Sequence, residues 1–174
     1  MPIVRPAETR DLPAITAIYA DAVLHGLGSF EEVPPDLAEM TDRYQTLVAA
    51  GLPYLVAEEN GTILGFTYAG PFRPRSAYRH TVEDSIYVAA DRRGQGVGRQ
   101  LLGTLIDACT AIGKRQMIAV VGDSSNTPSV MLHRRLNFRL SGLLYAVGFK
   151  AGRWVDCVMM QRPLGAGEDS PPNG

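Results

Sequence analysis

The stretch from residue 85 to residue 102 reads Ser-Ile-Tyr-Val-Ala-Ala-Asp-Arg-Arg-Gly-Gln-Gly-Val-Gly-Arg-Gln-Leu-Leu, and it decides the fold. It begins with residues typical of a strand, continues with a turn that holds three glycines, and ends in the apolar spacing of a helix. At such a junction the backbone N–H groups of the turn and the positive end of the helix dipole face the same point. Arg92, Arg93 and Arg99 add full positive charges. The stretch therefore predicts a strand, a turn and a helix that bind an anion such as a pyrophosphate.

Two better-known nucleotide motifs do not fit this stretch. A P-loop ends in Gly-Lys-Ser/Thr, and the dinucleotide fingerprint places GxGxxG close to the first strand of the fold. Here Gly94, Gly96 and Gly98 are followed by Arg99, and the unit begins near the middle of the chain. A plain tight turn before a helix is the alternative, but the coincidence of three glycines with three arginines favours an anion site.

Hydrophobic patterning on both sides of this stretch predicts further strands and helices. The predicted strands cover residues 3–5, 54–58, 62–68, 81–88, 116–121, 140–149 and 153–160. The predicted helices start at the cap residue Asp11, cover residues 36–50, run from Val97 to a stop at Gly113, and run from Pro128 to Leu136 behind a cap at Asn126 or Thr127. An Asn-Gly pair at residues 60–61 predicts a hairpin. This order indicates an α/β fold, in which helices cover a mixed sheet.

Composition is that of an ordinary globular domain. The 174 residues are 45% hydrophobic and 20% charged, which is enough for one substantial core. We expect one domain over residues 1–164 and a disordered tail over residues 165–174, because the tail lacks large apolar residues and is rich in glycine and proline. The formal net charge of -1 argues against a nucleic-acid partner. No apolar stretch approaches the roughly 18 residues that span a bilayer, so no membrane partner is expected.

The cysteines and the N-terminus bear on the compartment. Cys109 and Cys157 lie far apart and show neither a CxxC pair nor Cys/His spacing, so neither a disulfide nor a metal site is expected. The first five residues lack the features of a secretory signal. The sequence therefore predicts a soluble cytoplasmic protein with reduced thiols.

Residues 93–98, Arg-Gly-Gln-Gly-Val-Gly, satisfy the pattern Arg/Gln-x-x-Gly-x-Gly/Ala that binds acetyl-coenzyme A in the GCN5-related N-acetyltransferase (GNAT) superfamily. The sequence resembles this superfamily, and within it the branch of phosphinothricin and methionine sulfone acetyltransferases. The resemblance covers the chain except its tail, and it includes residues 29–32, 78–88, 132–133 and 148–156. Asn137 replaces a usual glycine, which is expected to be harmless because Asn tolerates a left-handed backbone.

This resemblance implies a fold and a cosubstrate. The fold is a central, twisted, mostly antiparallel sheet with a splayed parallel strand pair and flanking helices. The cosubstrate is acetyl-coenzyme A (acetyl-CoA), with no metal, and the backbone N–H of Val88 polarises the thioester carbonyl, a role that suits a fixed donor. The cofactor-binding residues so implied are Ile86, Tyr87, Val88, Arg93, Gly94, Gln95, Gly96, Val97, Gly98, Arg99, Asn126 and Ser129.

Glu83 is the candidate general base. Attack on a thioester needs a neutral amine, so a base must first remove a proton from the ammonium form. Glu83 lies in an otherwise apolar strand beside the motif, where burial would raise its pKa, and it matches the glutamate assigned as base in this branch. Asp84 would point to the opposite face of a regular strand, so it is the weaker candidate. A solvated strand carboxylate is the alternative interpretation of Glu83.

His133 is the candidate partner of Glu83. It stands where many members of the superfamily place a tyrosine that protonates the leaving thiolate, and this branch carries a histidine there. His133 would act as that acid or assist Glu83 as base, and the sequence leaves both roles open beside a purely structural one. Tyr145 is an alternative proton donor.

The acceptor is inferred from local charge. Between residues 73 and 99 six arginines stand against three acidic residues. Arginine forks bind carboxylate, phosphinate or sulfonyl oxygens, which suits an amino acid such as phosphinothricin, methionine sulfone or methionine sulfoximine. The resemblance places Ala77, Tyr78, Arg79 and Glu83 in the acceptor site, and the full set of candidate substrate-binding residues is Phe30, Glu31, Arg73, Arg75, Ala77, Tyr78, Arg79 and Glu83. Solvated loop charges are the alternative interpretation of Arg73 and Arg75.

These residues predict an acetyl-CoA-dependent N-acetyltransferase that acts by direct attack on the α-amine of a phosphinothricin-like amino acid. Two alternatives remain: acetylation of another small amine or a protein N-terminus, and a non-catalytic acyl-CoA sensor. Trp154 and Asp156 are assigned to packing or to a subunit contact, since homodimers are common in this branch.

Overall fold

The computed structural model describes residues 2–172. Its seven strands form one sheet in the order β1-β2-β3-β4-β5-β7-β6. Neighbouring strands are antiparallel throughout the described residues, except for the parallel pair β4 and β5. This arrangement confirms the expected mixed sheet and its mostly antiparallel character. The strands are β1 Ile3–Pro6, β2 Tyr54–Glu59, β3 Thr62–Pro71, β4 Thr81–Val88, β5 Gln116–Gly122, β6 Arg139–Lys150 and β7 Arg153–Pro163.

Four α-helices within residues 2–172 cover the two faces of the sheet. They are α1 Leu12–His25, α2 Leu37–Ala49, α3 Val97–Ala111 and α4 Thr127–Arg135. On one face, α1 buries its apolar stripe against an aromatic layer that includes Tyr54 and Phe66. On the other face, the apolar stripe of α3 packs with Val82 of β4 and Met117 of β5. The periodicity that predicted these helices thus also determines which side of each helix is buried.

Local side-chain bonds set where the helices begin. The Asn126 side chain accepts a hydrogen bond from the backbone N–H of Ser129 at 3.3 Å, so Asn126 is the cap of α4 and Thr127 is its first residue. Asp11 stands at the start of α1 but makes no side-chain cap bond there. Its carboxylate accepts from the backbone N–H of Glu8 at 2.8 Å and from Arg5 at 2.7 Å, because the preceding 3-10 turn brings both donors close. Asp11 therefore holds the predicted cap position, but its side chain bonds back to the preceding residues and not to the helix.

The parallel pair β4 and β5 separates partway along its length. Thr81–Asp84 pair with Gln116–Ala119, and beyond these residues β4 remains paired with β3 while β5 remains paired with β7. A gap therefore opens between the ends of the two strands, next to the glycine-rich turn that begins α3. This is the splay that the resemblance implied.

The segment after Leu164 differs from the disorder expected of it. Up to Ser170 it forms successive turns, and the Arg115 guanidinium donates to the Gly167 carbonyl and to the Ser170 hydroxyl, both at 2.8 Å. An arginine distant in sequence supplies the contacts that the composition of the tail could not reveal. Residues 173 and 174 of the predicted tail lie outside the described residues. No helix within residues 2–172 is both long and apolar enough to cross a bilayer.

Candidate active site

A cavity of about 550 Å³ occupies the gap between β4 and β5. Its walls come from both strands, from α4, from the loop that follows α1, and from the glycine-rich turn. Nine sequence-predicted residues line it: Phe30, Glu83, Ile86, Tyr87, Val88, Arg93, Asn126, Ser129 and His133. These candidate residues are spread over more than 100 positions of the sequence, and the fold brings them together around one cavity.

Side chains along β4 alternate between the two faces of the sheet. Val82 packs in the core beneath α3, whereas the Tyr87 ring meets the Tyr19 ring of α1 edge to face at 4.9 Å. Because the side-chain period of a strand is two, Glu83 points to the α1 face and Asp84 to the α3 face. The cavity therefore presents one carboxylate on each side of the gap.

Glu83 is half-buried on the α1 side of the cavity. Burial raises the pKa of its carboxyl above the ordinary value for glutamate, the charge of Asp84 raises it further, and Arg73 opposes the shift in part. A carboxylate of this kind holds a proton more firmly than a solvated one, which improves its ability to remove a proton from an ammonium group.

His133 lies on the other side of the gap. The residue is 2% exposed, its Nε2 atom lies 3.0 Å from the Asp84 Oδ2 atom, and its Nδ1 atom lies 2.8 Å from the Ser129 carbonyl oxygen. Burial alone would lower the pKa of His133, but the hydrogen bond and the charge of Asp84 outweigh it, and the net shift is upward. His133 is therefore bonded to Asp84 and not to Glu83.

Asp84 is the site residue that sequence reasoning set aside. The alternation that placed Glu83 on one face also placed Asp84 on the face of α4, where His133 projects from the helix. A buried carboxylate and a histidine that face each other in this way form an ion pair readily. The expected placement of Asp84 on the face of β4 opposite Glu83 was the sequence signal that could have identified this pair.

The glycine-rich turn has the geometry of an anion site. Gly94 and Gly96 adopt left-handed backbones with φ of 76° and 86°, which L side chains rarely adopt. Gly96 holds the N-cap position of α3, and the first bond back to its carbonyl comes from Gln100 N at 3.2 Å. The N–H groups of the first turn are therefore free of helical partners and face outward with the positive end of the helix dipole.

Two side chains hold this turn in place. The Arg93 Nε atom donates to the Val88 carbonyl at 3.2 Å, and the Gln95 side chain donates to the Asp91 carbonyl at 2.9 Å. Gly98 lies close to α4, since an added Cβ would be 3.4 Å from the Leu132 side chain. The backbone N–H of Ala89 bonds to Leu64 of β3 at 2.9 Å. Because successive N–H groups of a strand point to opposite edges, the Val88 N–H faces the gap, as its expected role requires.

The loop after α1 closes the cavity on the α1 side. Phe30 lines the cavity and packs against Gly148 of β6, while the Lys150 ammonium donates to the Ser29 carbonyl at 2.7 Å. Glu31 does not line the cavity and instead forms an ion pair with Arg43 of α2 at 2.7 Å. Of these two adjacent candidate residues, Phe30 therefore lines the cavity and Glu31 does not.

The predicted substrate residues of the β3–β4 loop lie outside the cavity. Arg73, Arg75, Ala77, Tyr78 and Arg79 are all exposed, and none is among the residues that line the cavity. Arg73 acts on the site only through its charge, which lowers the pKa of Glu83. Acceptor binding by this loop stays a prediction.

Tyr145, the alternative proton donor, is 75% exposed on β6 and does not line the cavity. Trp154 is 64% exposed, whereas the Asp156 carboxylate accepts from the backbone N–H of Ala146 at 2.9 Å and from the Ser124 hydroxyl at 2.7 Å. The Asp156 carboxylate therefore bonds within the chain, and the assignment of Trp154 and Asp156 to packing or to a subunit contact stays a prediction.

Neither cysteine is suited to nucleophilic attack. Burial raises the pKa of Cys109 to about 12, with the charge of Asp84 as the second cause. Cys157, which was not among the predicted site residues, lines the cavity on β7, and its pKa is raised by burial and then by the charge of Glu83. A thiol needs to be a thiolate to attack a thioester, so both shifts oppose covalent catalysis. No group of three His, Cys, Asp or Glu side chains arranged as metal ligands occurs in the described part of the chain.

Known proteins resemble this chain along nearly its whole length. The model of the acetyltransferase (GNAT) family matches residues 16–138. A phosphinothricin N-acetyltransferase from Alcaligenes faecalis is 58% identical over 97% of this chain and 86% of the relative. An L-methionine sulfoximine/L-methionine sulfone acetyltransferase from Pseudomonas aeruginosa is 43% identical over 97% of this chain and 98% of the relative.

A solved structure agrees with this fold. The crystal structure of a GNAT superfamily phosphinothricin acetyltransferase from Sinorhizobium meliloti, in complex with acetyl-CoA, superposes with a TM-score of 0.96 at 48% identity, covering 99% of this chain and 93% of the other. Since the family model spans most of the chain and the relatives share both fold and sequence, this protein belongs to the acetyltransferase (GNAT) family and is an N-acetyltransferase.

Proposed function

We propose that this protein transfers the acetyl group of acetyl-CoA to the α-amine of a phosphinothricin-like amino acid, such as phosphinothricin, methionine sulfone or methionine sulfoximine. The observation that carries the proposal is a half-buried carboxylate, Glu83, on the α1 side of a gap whose other side adjoins an anion-binding turn. The names of the relatives support the acceptor class.

The residues around the glycine-rich turn fit acetyl-CoA. The free N–H groups at the start of α3, together with Arg93, would hold its pyrophosphate, and the Val88 N–H would meet the thioester carbonyl. When bound, acetyl-CoA supplies an activated acetyl group. Asn126 and Ser129, which line the same cavity, would border its pantetheine arm.

Glu83 removes a proton from the acceptor ammonium at its carboxylate oxygen. Its raised pKa follows mainly from burial, so the carboxylate is ionised only above that raised pKa. We therefore expect the rate to rise with pH through the titration of Glu83 and to fall as the carboxyl becomes protonated. Arg73, which acts electrostatically on Glu83, supports an acceptor that carries its own anionic group.

The first experiment follows the release of free thiol from acetyl-CoA. The acceptor panel contains phosphinothricin, methionine sulfone, methionine sulfoximine, ordinary amino acids, an N-terminal peptide and an aminoglycoside. Acceleration by the first three supports the proposal. Acceleration by the peptide or the aminoglycoside alone would redirect it to another amine, and binding of acetyl-CoA without acceleration by any amine would indicate a sensor.

The second experiment replaces the base. In Glu83→Gln we expect retained acetyl-CoA binding and a turnover lower by about 10²–10⁴-fold, because the amide cannot accept the proton. Glu168→Gln, on the exposed segment after β7, is the matched control. Unchanged turnover in Glu83→Gln would remove Glu83 from the mechanism.

The raised pKa of Glu83 also predicts how Glu83→Gln changes thermal stability. The pKa of Glu83 in the folded protein lies above the value of 4.5 expected for the unfolded chain, so folding favours the protonated form. The stability that depends on this proton is present below pH 4.5 and is lost as pH rises through the raised pKa. Glu83→Gln should therefore gain thermal stability over the native protein at pH 8 and little at pH 4.

We also propose that the protein forms a homodimer. Support comes from large apolar side chains that stay exposed on β6, the edge strand of the sheet, and at the start of β7. These side chains are Leu140, Leu144, Tyr145, Val147, Phe149 and Trp154.

A further inference from the structure

Asp84 and His133 meet at the point where β4 and β5 part. Asp84 is the last residue of β4 that pairs with β5, and His133 projects toward it from α4 across 49 positions of sequence. Both side chains are buried and both line the cavity. The pair therefore forms part of the cavity wall on the α3 and α4 side, opposite Glu83.

The bonds of the His133 ring define its protonation. Nδ1 lies 2.8 Å from the Ser129 carbonyl oxygen, and a carbonyl can only accept, so Nδ1 carries a hydrogen. Nε2 lies 3.0 Å from the Asp84 Oδ2 atom, and an ionised carboxylate also only accepts. With Asp84 ionised, both ring nitrogens carry hydrogens and the ring is an imidazolium.

Among the groups around Asp84, His133 is the one that can balance its negative charge. The other carboxylate oxygen, Oδ1, is buried without a hydrogen-bond partner among the described residues. Cys109 of α3 faces Asp84 as a neutral thiol, because burial and the charge of Asp84 raise its pKa to about 12. Glu83 points to the opposite face, and Arg162 of β7 bonds to the carbonyl at the end of α4. The remaining charged side chains of α4 are exposed: Arg134 and Arg135.

We propose that Asp84 is a positioning residue that keeps both ring nitrogens of His133 protonated, so that His133 is an imidazolium on the side of the gap opposite the base. This inference deepens the proposed function and rests on it. The amine nitrogen forms a bond to the acetyl carbon as the carbon–sulfur bond breaks, and the acceptor ammonium loses two protons as it becomes an amide. Glu83 takes the first proton on the α1 side and passes it to solvent, and the second leaves the nitrogen as the carbon–sulfur bond breaks and also goes to solvent. His133 gives one proton to the departing sulfur on the other side, becomes neutral and is reprotonated from solvent. Asp84 remains an anion throughout, and the whole cycle releases one proton.

The first test is a nuclear magnetic resonance titration of the imidazole ring of His133 in the protein without ligands. The chain has three histidines, so signals are assigned through single variants of His25 and His80. We expect two protonated ring nitrogens in the native protein at about pH 7, and in Asp84→Asn a titration that moves to lower pH. The amide keeps the shape and a hydrogen-bonding oxygen but removes the charge. An unprotonated Nε2 in the native protein would overturn the proposal, and this readout needs no variant to fold.

The second test is the pH profile of thiol release. An imidazolium that donates a proton is present below its pKa and is lost as pH rises, and Asp84→Asn loses it at lower pH. Turnover of Asp84→Asn should be close to native at about pH 6 and about tenfold lower at about pH 8. A variant that loses the same fraction of turnover at every pH would show that Asp84 has only a structural role. Asp107→Asn, on the exposed surface of α3, is the matched control.

The two tests separate this inference from the proposed function. If no amino acid accelerates thiol release but both ring nitrogens of His133 are protonated and depend on Asp84, the acceptor assignment fails and the positioning role of Asp84 stands. If acetyl transfer occurs but the titration of His133 is the same in Asp84→Asn, the positioning role fails and the acetyltransferase function stands.

Discussion

Phe30 can lie in the cavity wall because residue 148 of β6 is a glycine, which has no side chain to displace the ring. A Cβ added at Gly148 of β6 would lie 2.5 Å from one ring carbon of Phe30 and 2.9 Å from two others. Such distances are well inside van der Waals contact, so the ring could not stay where it is. The absence of a methyl group on β6 thus allows the loop after α1 to cover the cavity.

Gly148→Ala should therefore disturb the acceptor side of the site. We expect the displaced Phe30 ring to raise KM for the amino acid and to lower kcat/KM about tenfold, because positioning is lost while the base remains. Steady-state kinetics with acetyl-CoA saturating would measure both constants. Gly142→Ala on the same strand is the control, since nothing lies within 4 Å of its added Cβ. Equal kinetics in the two variants would show that Phe30 does not contact the acceptor.

Glu83 and Asp84 show how strongly the environment separates two adjacent carboxylates. One lies half-buried on the α1 face under the influence of Arg73, and the other lies buried against His133 on the α3 face. Their residue types are equally acidic in the sequence. The strand alternation of β4, and the helices on each side, assign them different chemistry.

At the scale of elements, the turn that begins α3 must both adopt a left-handed backbone at Gly96 and orient the first N–H groups of the helix. The left-handed backbone at Gly96 ends the turn and leaves the first N–H groups of the helix without helical partners, where the proposed anion would lie. An L side chain at this backbone conformation costs about 1–2 kcal/mol. In the proposed function, the conformation of this one residue therefore affects both the stability of the turn and the binding of the pyrophosphate.

Gly96→Ala and Gly103→Ala should have opposite effects on stability. Gly96→Ala should lower the free energy of unfolding by about 1 kcal/mol and weaken acetyl-CoA binding about tenfold, since relief of strain moves the N–H groups. Gly103 lies inside α3, where nothing is within 4 Å of an added Cβ, so Gly103→Ala should stabilise by about 0.5–1 kcal/mol. Chemical denaturation and calorimetric binding would measure both quantities. A Gly96→Ala protein that binds acetyl-CoA with native affinity would contradict the anion-binding role of the turn.

The strand predicted over residues 140–149 is confirmed as β6, but its pairing with β7 is irregular. The strand runs from Arg139 to Lys150, and its pairing with β7 shifts at two places, after Leu140 and after Leu144. Ala146, which lies within the second shift between Leu144 and Gly148, has a positive φ of 52°. These irregularities leave apolar side chains exposed that a regular alternation would have placed partly inside.

At the scale of the whole molecule, the exposed edge of the sheet predicts the oligomeric state. Tyr145→Glu combined with Trp154→Glu should shift the proposed dimer toward monomer, because two charges would have to be buried in the contact. Sedimentation equilibrium over a range of concentrations would measure the shift. Val33→Glu is the control, since Val33 is 80% exposed in the loop between α1 and α2. A native protein that is monomeric at all concentrations would refute the homodimer.

Much of the fold followed from the sequence because its signals are local. The glycine-rich turn, the Asn60–Gly61 hairpin and the apolar stripes of α1 and α3 depend on φ preferences and on periodicity within a few residues. The resemblance carried by residues 93–98 extended this to the family and to the splayed strand pair. The placement of Glu83 and Asp84 on opposite faces of β4 needed only the alternation of a strand.

Contacts between distant residues were decided by the tertiary structure alone. Three such contacts join residues that are far apart in the chain. Asp84 bonds to His133, Phe30 packs on Gly148, and Arg115 donates a hydrogen bond to the segment after β7. No local preference encodes them, because each depends on where two elements meet after the sheet has formed. The sequence by itself determined the elements and the anion-binding turn, and the packing of those elements decided which side chains share the cavity and which proton each of them can hold.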